Sequence, residues 1–352
     1  MQTIDTSQFK LGMIDCMRGL LIRPKGILAA DESFPTIAKR FESVGLPNSE
    51  ETRRRYREML LATTGLNEFV SGVILFDETA RQANSDGTPF IHLLEQNGII
   101  PGIKVDAGLM PVGSSDVENV TSGLDGLPER LREYVQMGLR FAKWRSTFRI
   151  GPGLPSDFVV DANAIGLAQY ASFCQNAGLV PIVEPEVLLD GDHSLADAKR
   201  VIIDVLTEVV RRLEQANVRL DLTIVKTSMA TRGSTNKVEN QESVGAATAQ
   251  VLSETLPPAI GGVVFLSGGM SELEATRNFN EFSQSGSYPW PVSFSFGRAL
   301  QNSALKRWAT DPSRFEEART ELLHRARMNS LARVGDWSPE EDSVGEGRTR
   351  KF

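Results

Sequence analysis

Asp31, Lys104, Asp106, Lys143, Arg145, Glu184, Glu186, Lys226 and Arg298 share one setting. Each falls near the end of a short run that otherwise reads as a buried strand. A strand buried on both faces should be continuously apolar, and charge placed there is costly unless it is paired or used. Lys104 with Asp106, Lys143 with Arg145, and Glu184 with Glu186 are spaced by two, so the side chains of each pair point to the same face. Lysines and arginines beside carboxylates make a site for an anion. Phosphate suits both cations, since Lys meets it as a point charge and Arg as a fork. Ser267-Gly268-Gly269 has the composition of a loop that offers backbone donors. Taken singly, each residue has a plain structural reading. A Lys after a strand snorkels to solvent, Asp31 caps a turn, the two glutamates serve ion pairs, Arg298 bonds carbonyls, and Ser-Gly-Gly is a turn. Their recurrence at equivalent strand positions is what points to a common site.

Lys226 stands in an otherwise apolar run with Leu222, Ile224 and Val225. A lysine buried among other cations favours its neutral amine, which can attack a carbonyl. That makes Lys226 the candidate for a Schiff base. Glu184, Glu186 and Asp31 are the carboxylates available to move protons during carbinolamine formation and carbon–carbon cleavage. An imine needs no metal or other cofactor. This fits a chain with only three histidines, far apart, and no metal-ligand spacing.

The elements that must position these residues are eight short β-rich runs, at 26–33, 70–79, 99–108, 141–150, 179–188, 220–229, 261–269 and 292–300. Between them lie helical patterns at 49–61, 127–138, 161–177, 194–216 and 240–255, with a charged helical segment at 301–332. In 194–216, Leu195, Val201, Val205, Val209 and Leu213 fall on one face. Strand–helix alternation of this kind predicts an α/β fold, a (β/α)8 TIM barrel, whose chemistry gathers at the C-terminal mouth. The rival open sheet advertises a glycine-rich turn, and neither G-x-G-x-x-G after a strand nor a P-loop occurs. Residues 1–332 read as a single barrel domain and 333–352 as a flexible C-terminal tail.

Composition removes other classes. With 352 residues and 41% apolar content the chain can build a large core, and a net charge of −7 gives no overall basic footprint for nucleic acid. Two cysteines form no disulfide framework. No apolar run is long enough to cross a bilayer, and the first residues do not read as a signal peptide. The expectation is a cytoplasmic protein that binds neither membrane nor nucleic acid.

Longer stretches carry a resemblance: KGILAADES (25–33), IAKRF (37–41), SGVILFDET (71–79), GIKVDAG (102–108), GLDGLPER (123–130), FAKWR (141–145), VPIVEPEVL (180–188), DGDH (190–193), VFLSGGMSE (264–272) and FSFGRALQ (294–301). In this order they resemble class I fructose-bisphosphate aldolase. The resemblance implies reversible cleavage of fructose 1,6-bisphosphate to dihydroxyacetone phosphate and glyceraldehyde 3-phosphate. It implies Lys226 as the Schiff-base lysine, Glu186 managing protons around the imine, and Glu184 assisting dehydration. Lys143 would hydrogen-bond the intermediate, and Asp31 would act on the C4 hydroxyl. Ser267, Gly268 and Arg298 would hold the C1 phosphate. Ser33, Thr36, Arg40, Lys104 and Arg145 would hold the rest of the sugar and its second phosphate. A homo-oligomer, specifically a tetramer, is also implied.

Four departures from the family pattern stand out. Thr227-Ser228-Met229 replaces the usual Pro-Asn-Met, Phe34-Pro35 replaces Thr-Gly, Phe296 replaces a common Tyr, and the chain ends in Phe352 where many members end in Tyr. Phe34-Pro35 motivates the alternative of a related ketose-phosphate aldolase acting on fructose 1-phosphate or sedoheptulose bisphosphate. A non-catalytic scaffold on the same barrel is a further alternative.

Overall fold

Largely apolar strands bounded by amphipathic helices bury both faces only when helices cover the outside and the strands' own side chains fill the inside. The computed structural model, which describes residues 6–113, 115–238 and 242–343, has this arrangement. In chain order the strands are β1 (Gly26–Ala30), β2 (Val70–Leu75), β3 (Ile100–Lys104), β4 (Leu109–Val112), β5 (Ser115–Thr121), β6 (Phe141–Phe148), β7 (Val180–Val187), β8 (Ile224–Thr227), β9 (Gly262–Phe265) and β10 (Val292–Phe296). Eight of them close an all-parallel barrel in the order β1-β2-β3-β6-β7-β8-β9-β10, and β4 and β5 form an antiparallel hairpin beside it. The eight barrel strands are those expected from the sequence. The hairpin is an addition.

Register sets which residues share a level. Lys104 pairs with Lys143, Arg145 with Glu184, Ile182 with Ile224, and Lys226 with Val264. The charged ends of β3, β6, β7 and β8 therefore stand side by side at the C-terminal mouth. At the other end, the helix Thr6–Leu20 lays Met13, Cys16, Met17 and Leu20 against Ile27, Ile74, Phe141, Ile182, Ile224 and Val264. Phe141 fills the lumen because β3 carries Gly102 beside it; a Cβ there would come within 2.3 Å of the ring.

The outer helices begin where side chains cap them. Ser194 with Asp197 and Ser271 with Glu274 form reciprocal capping boxes on Leu195–Gln215 and Glu272–Gln284. The single helical segment expected at 301–332 is two helices, Arg298–Thr310 and Phe315–Val334. Pro312 disfavours helical backbone at Asp311, and the Asp311 side chain turns the chain by accepting from Ser313 N at 3.0 Å.

The tail expected from residue 333 is corrected for residues 333–343. Arg333 ends the last long helix, buried, and donates to the carbonyls of Leu21, Ile22, Lys25 and Val292. Trp337 Nε1 donates to Asp342 at 2.8 Å, and Asp342 is also held by Arg325 and lies 2.9 Å from His324 Nε2. Residues 344–352, including Phe352, lie outside the described residues. No helix among the described residues is long and apolar enough to cross a membrane.

Candidate active site

A cavity of about 920 Å³ opens at the C-terminal mouth. It is lined by every residue singled out from the sequence: Asp31, Ser33, Thr36, Arg40, Lys104, Lys143, Arg145, Glu184, Glu186, Lys226, Ser267, Gly268 and Arg298. Convergence follows from strand parity, since Asp31, Lys104, Lys143, Arg145, Glu184, Glu186 and Lys226 all continue lumen-facing stripes.

The centre is a chain of buried charges. Glu184 bridges two lysines, with Oε1 2.9 Å from Lys226 Nζ and Oε2 3.1 Å from Lys143 Nζ. Lys143 Nζ reaches on to Asp31 Oδ2 at 2.7 Å. Burial pushes the Asp31 carboxyl up, but Lys143, and after it Lys226, outweigh this and hold it at about 2. Burial also works against ionised Glu184, and Lys143, Lys226 and Arg145 overcome it, so its pKa is lowered. Lys143 shows the mirror effect. Burial favours its neutral form, and Asp31 and Glu184 raise its pKa despite that. Buried ions of this kind persist only when each has a partner.

The two glutamates have different partners: Glu186 is paired with Arg145, and Glu184 is the carboxylate in contact with Lys226. Both glutamates are on β7 and face the cavity, so parity alone does not tell them apart. Ser228, part of the unusual segment after Lys226, is buried and donates to Val187 O at 2.8 Å. This ties the segment to β7 in place of the expected Pro-Asn turn.

Two further sectors flank the centre. On one side, Gly268 (φ +47°) and Gly269 (φ +99°) take left-handed backbone that suits glycine. A Cβ on Gly269 would lie 3.9 Å from Arg298 Nη2. Arg298 opens the helix Arg298–Thr310, whose N-terminal amides favour an anion. On the other side, Ser33 Oγ lies 3.1 Å from Thr36 Oγ1. Arg40 lines this wall, but its guanidinium is engaged by Glu32, Gln301 (2.9 Å), Asn302 (3.3 Å) and Tyr56 (3.4 Å). Lys104 is likewise paired with Asp106. Among the described residues, Arg298 and Lys39 are the cavity-lining cations without an ion-pair partner, one in each sector.

Sequence reasoning missed Lys39 and Ser295 as cavity residues, while Asp106, singled out beside Lys104, lines the cavity as well. Lys39 follows Thr36 by three, one helical turn, on Phe34–Glu42. Ser293 and Ser295 alternate with phenylalanines along β10, a polar stripe with a period of two. Ser295 Oγ is buried on the cavity wall without a hydrogen-bond partner, and a buried polar atom of that kind invites a ligand. Phe296, where a Tyr is common, faces the outer layer and packs on Phe279 at 6.3 Å, so its missing hydroxyl does not bear on the cavity.

Known proteins match this chain along its length. A family model described as fructose-bisphosphate aldolase class-I matches residues 13–351. A probable fructose-bisphosphate aldolase class 1 of Xanthomonas axonopodis pv. citri is 48% identical over 315 residues, spanning 89% of this chain and 94% of that one. A fructose-bisphosphate aldolase of Dictyostelium discoideum is 43% identical over 341 residues, 96% of each chain. In solved structures, the fructose-bisphosphate aldolase of Plasmodium falciparum, crystallised with TRAP and a small-molecule inhibitor, superposes with a TM-score of 0.92 at 45% identity. That match covers 94% of this chain and 96% of that one.

Proposed function

The chain belongs to the class-I fructose-bisphosphate aldolase family, and from that premise we propose that Lys226 is the amine through which it carries out the reversible cleavage of fructose 1,6-bisphosphate to dihydroxyacetone phosphate and glyceraldehyde 3-phosphate. The observation that carries the assignment is the Glu184 bridge, 2.9 Å to Lys226 and 3.1 Å to Lys143. A carboxylate in contact with the Lys226 ammonium can take one proton and free the nitrogen to attack the C2 carbonyl. A second proton passes from nitrogen to the carbonyl oxygen to give the carbinolamine, and Glu184 then returns the first to that hydroxyl, which leaves as water. Lys143 supplies a fixed positive charge beside the oxygen that leaves. The resulting iminium draws in the electrons of the C3–C4 bond as Asp31 removes the C4 hydroxyl proton, releasing glyceraldehyde 3-phosphate. The enamine carbon is then protonated, by Glu186 across the cavity or by water, and hydrolysis frees Lys226 and dihydroxyacetone phosphate.

The unpaired cations support a substrate with a phosphate at each end. We assign the C1 phosphate to Arg298, Ser267 and Gly268, with Ser295 near the sugar. The second phosphate falls to Ser33, Thr36 and Lys39, with Arg40, Lys104 and Arg145 adding fixed charge along the path. We further propose a single catalytic domain acting as a cytoplasmic homotetramer. In the test, Lys226→Met should keep a wild-type melting profile and lose cleavage of fructose 1,6-bisphosphate. Undiminished turnover by that variant would overturn the assignment, and a folded wild type that cleaves no ketose phosphate would favour the scaffold reading.

A further inference from the structure

The distal wall of the cavity is not wholly polar. Phe34, immediately after Ser33, is 46% exposed and lines the cavity together with Pro35, Phe76 and Leu109. An exposed phenylalanine is usually free to turn in solvent, but this one is clamped. The edge of one ring meets the face of the other between Phe34 and Phe76, with centroids 5.1 Å apart and planes at 84°. The Arg53 guanidinium lies 4.8 Å from the Phe34 centroid. Arg53 is itself fixed, forked onto Glu78 by two bonds of 2.7 Å and bonded to Asn48 at 3.0 Å. The ring is therefore held on two sides.

Its position relative to the chemistry follows from strand order. Phe34 follows β1 and Phe76 follows β2, and β2 stands opposite β8, the strand of Lys226, in the closed barrel. A ketose joined to Lys226 at C2, with its C1 phosphate on the loop after β9, extends its remaining carbons toward this arc. The distal end of the substrate then meets two kinds of surface, the hydroxyls and ammonium of Ser33, Thr36 and Lys39, and the apolar ring of Phe34.

We propose that Phe34 is a specificity-determining residue, a preorganised apolar wall that binds the carbons of the aldehyde half whether or not they end in phosphate. This rests on the Lys226 reading above. The wall matters most for a ketose 1-phosphate with an uncharged distal end, which has no second anchor. A bisphosphate keeps Lys39 and its neighbours. Arg53 acts through the ring and is a positioning residue.

The experiment compares kcat/KM for fructose 1,6-bisphosphate and fructose 1-phosphate, which are identical at the reacting carbons, in wild type and three variants. Phe34→Thr should lower the value for fructose 1-phosphate by about fivefold to tenfold and that for the bisphosphate by less than about twofold. Phe34→Leu, which keeps an apolar wall, should stay within about twofold of wild type for both. Arg53→Gln frees the ring without removing it and should widen the ratio in the same direction by a smaller factor. An unchanged ratio in Phe34→Thr, or an equal fall for both sugars, overturns the proposal while leaving the Lys226 reading intact. Loss of all cleavage in the wild type would instead be a failure of that reading.

Discussion

The two ends of this barrel both bury cations, and they do so with different partners. At the bottom, Arg333 is satisfied by main-chain carbonyls of Leu21, Ile22, Lys25 and Val292. At the mouth, Lys143, Lys226 and Arg145 are satisfied by the carboxylates Asp31, Glu184 and Glu186. A carbonyl accepts a hydrogen bond but does not take the proton at ordinary pH. A carboxylate does both. The bottom is therefore a fastening that joins the last long helix to the ends of β1 and β10, and the mouth is a set of groups among which protons can move. The same strands serve both ends. Along β7 the lumen stripe runs Val180, Ile182, Glu184, Glu186, changing from filler to chemistry halfway up.

The sharpest way to break the comparison is at Glu184. Glu184→Gln keeps shape and removes the proton acceptor, so kcat for fructose 1,6-bisphosphate should fall by about 10²–10⁴-fold, read by steady-state kinetics on the folded enzyme. Phe141→Ala, at the opposite end of the same lumen, should do the reverse. Emptying a fully buried site costs about 3–5 kcal/mol in denaturant unfolding, while kcat/KM of the folded enzyme stays near wild type. Arg333→Met should cost about 3 kcal/mol by leaving buried carbonyls without a donor, again with kcat preserved.

The smallest effect is a pH dependence confined to the mouth. The Asp31 carboxyl lies at about 2 in the folded protein, below its unfolded value near 4. A depressed carboxylate contributes stability above its unfolded value and loses it as pH falls through the folded one. About 2 kcal/mol of unfolding free energy should therefore disappear between pH 4 and pH 2 in wild type. Asp31→Asn should flatten that part of the profile, whereas Arg333→Met should leave its shape unchanged.

The sequence disclosed the mouth more fully than the bottom, for a physical reason. Charge inside an apolar strand is rare, so Asp31, Lys143, Glu184 and Lys226 stand out one residue at a time. The helix Thr6–Leu20 that plugs the other end carries its apolar residues at helical spacing like many surface helices, and nothing in that pattern says it enters a barrel. The hairpin of β4 and β5 was hidden because Leu109 and Met110 are exposed and alternate with no buried face. Partner choice was also out of reach. Glu184 and Glu186 share strand and parity; the β7–β8 register puts Lys226 level with Glu184, while Arg145, itself level with Glu184 across β6, reaches diagonally to Glu186. The last 20 residues read as polar, yet Trp337 and Asp342 are buried by contacts with Arg325 and His324 made through the fold.

Borohydride reduction in the presence of dihydroxyacetone phosphate, followed by peptide mass mapping, tests the central claim most directly. A single reduced adduct should form, on Lys226, and vanish in Lys226→Met. An adduct on Lys143 or another lysine, or an unchanged intact mass in an enzyme that still turns over, would contradict it.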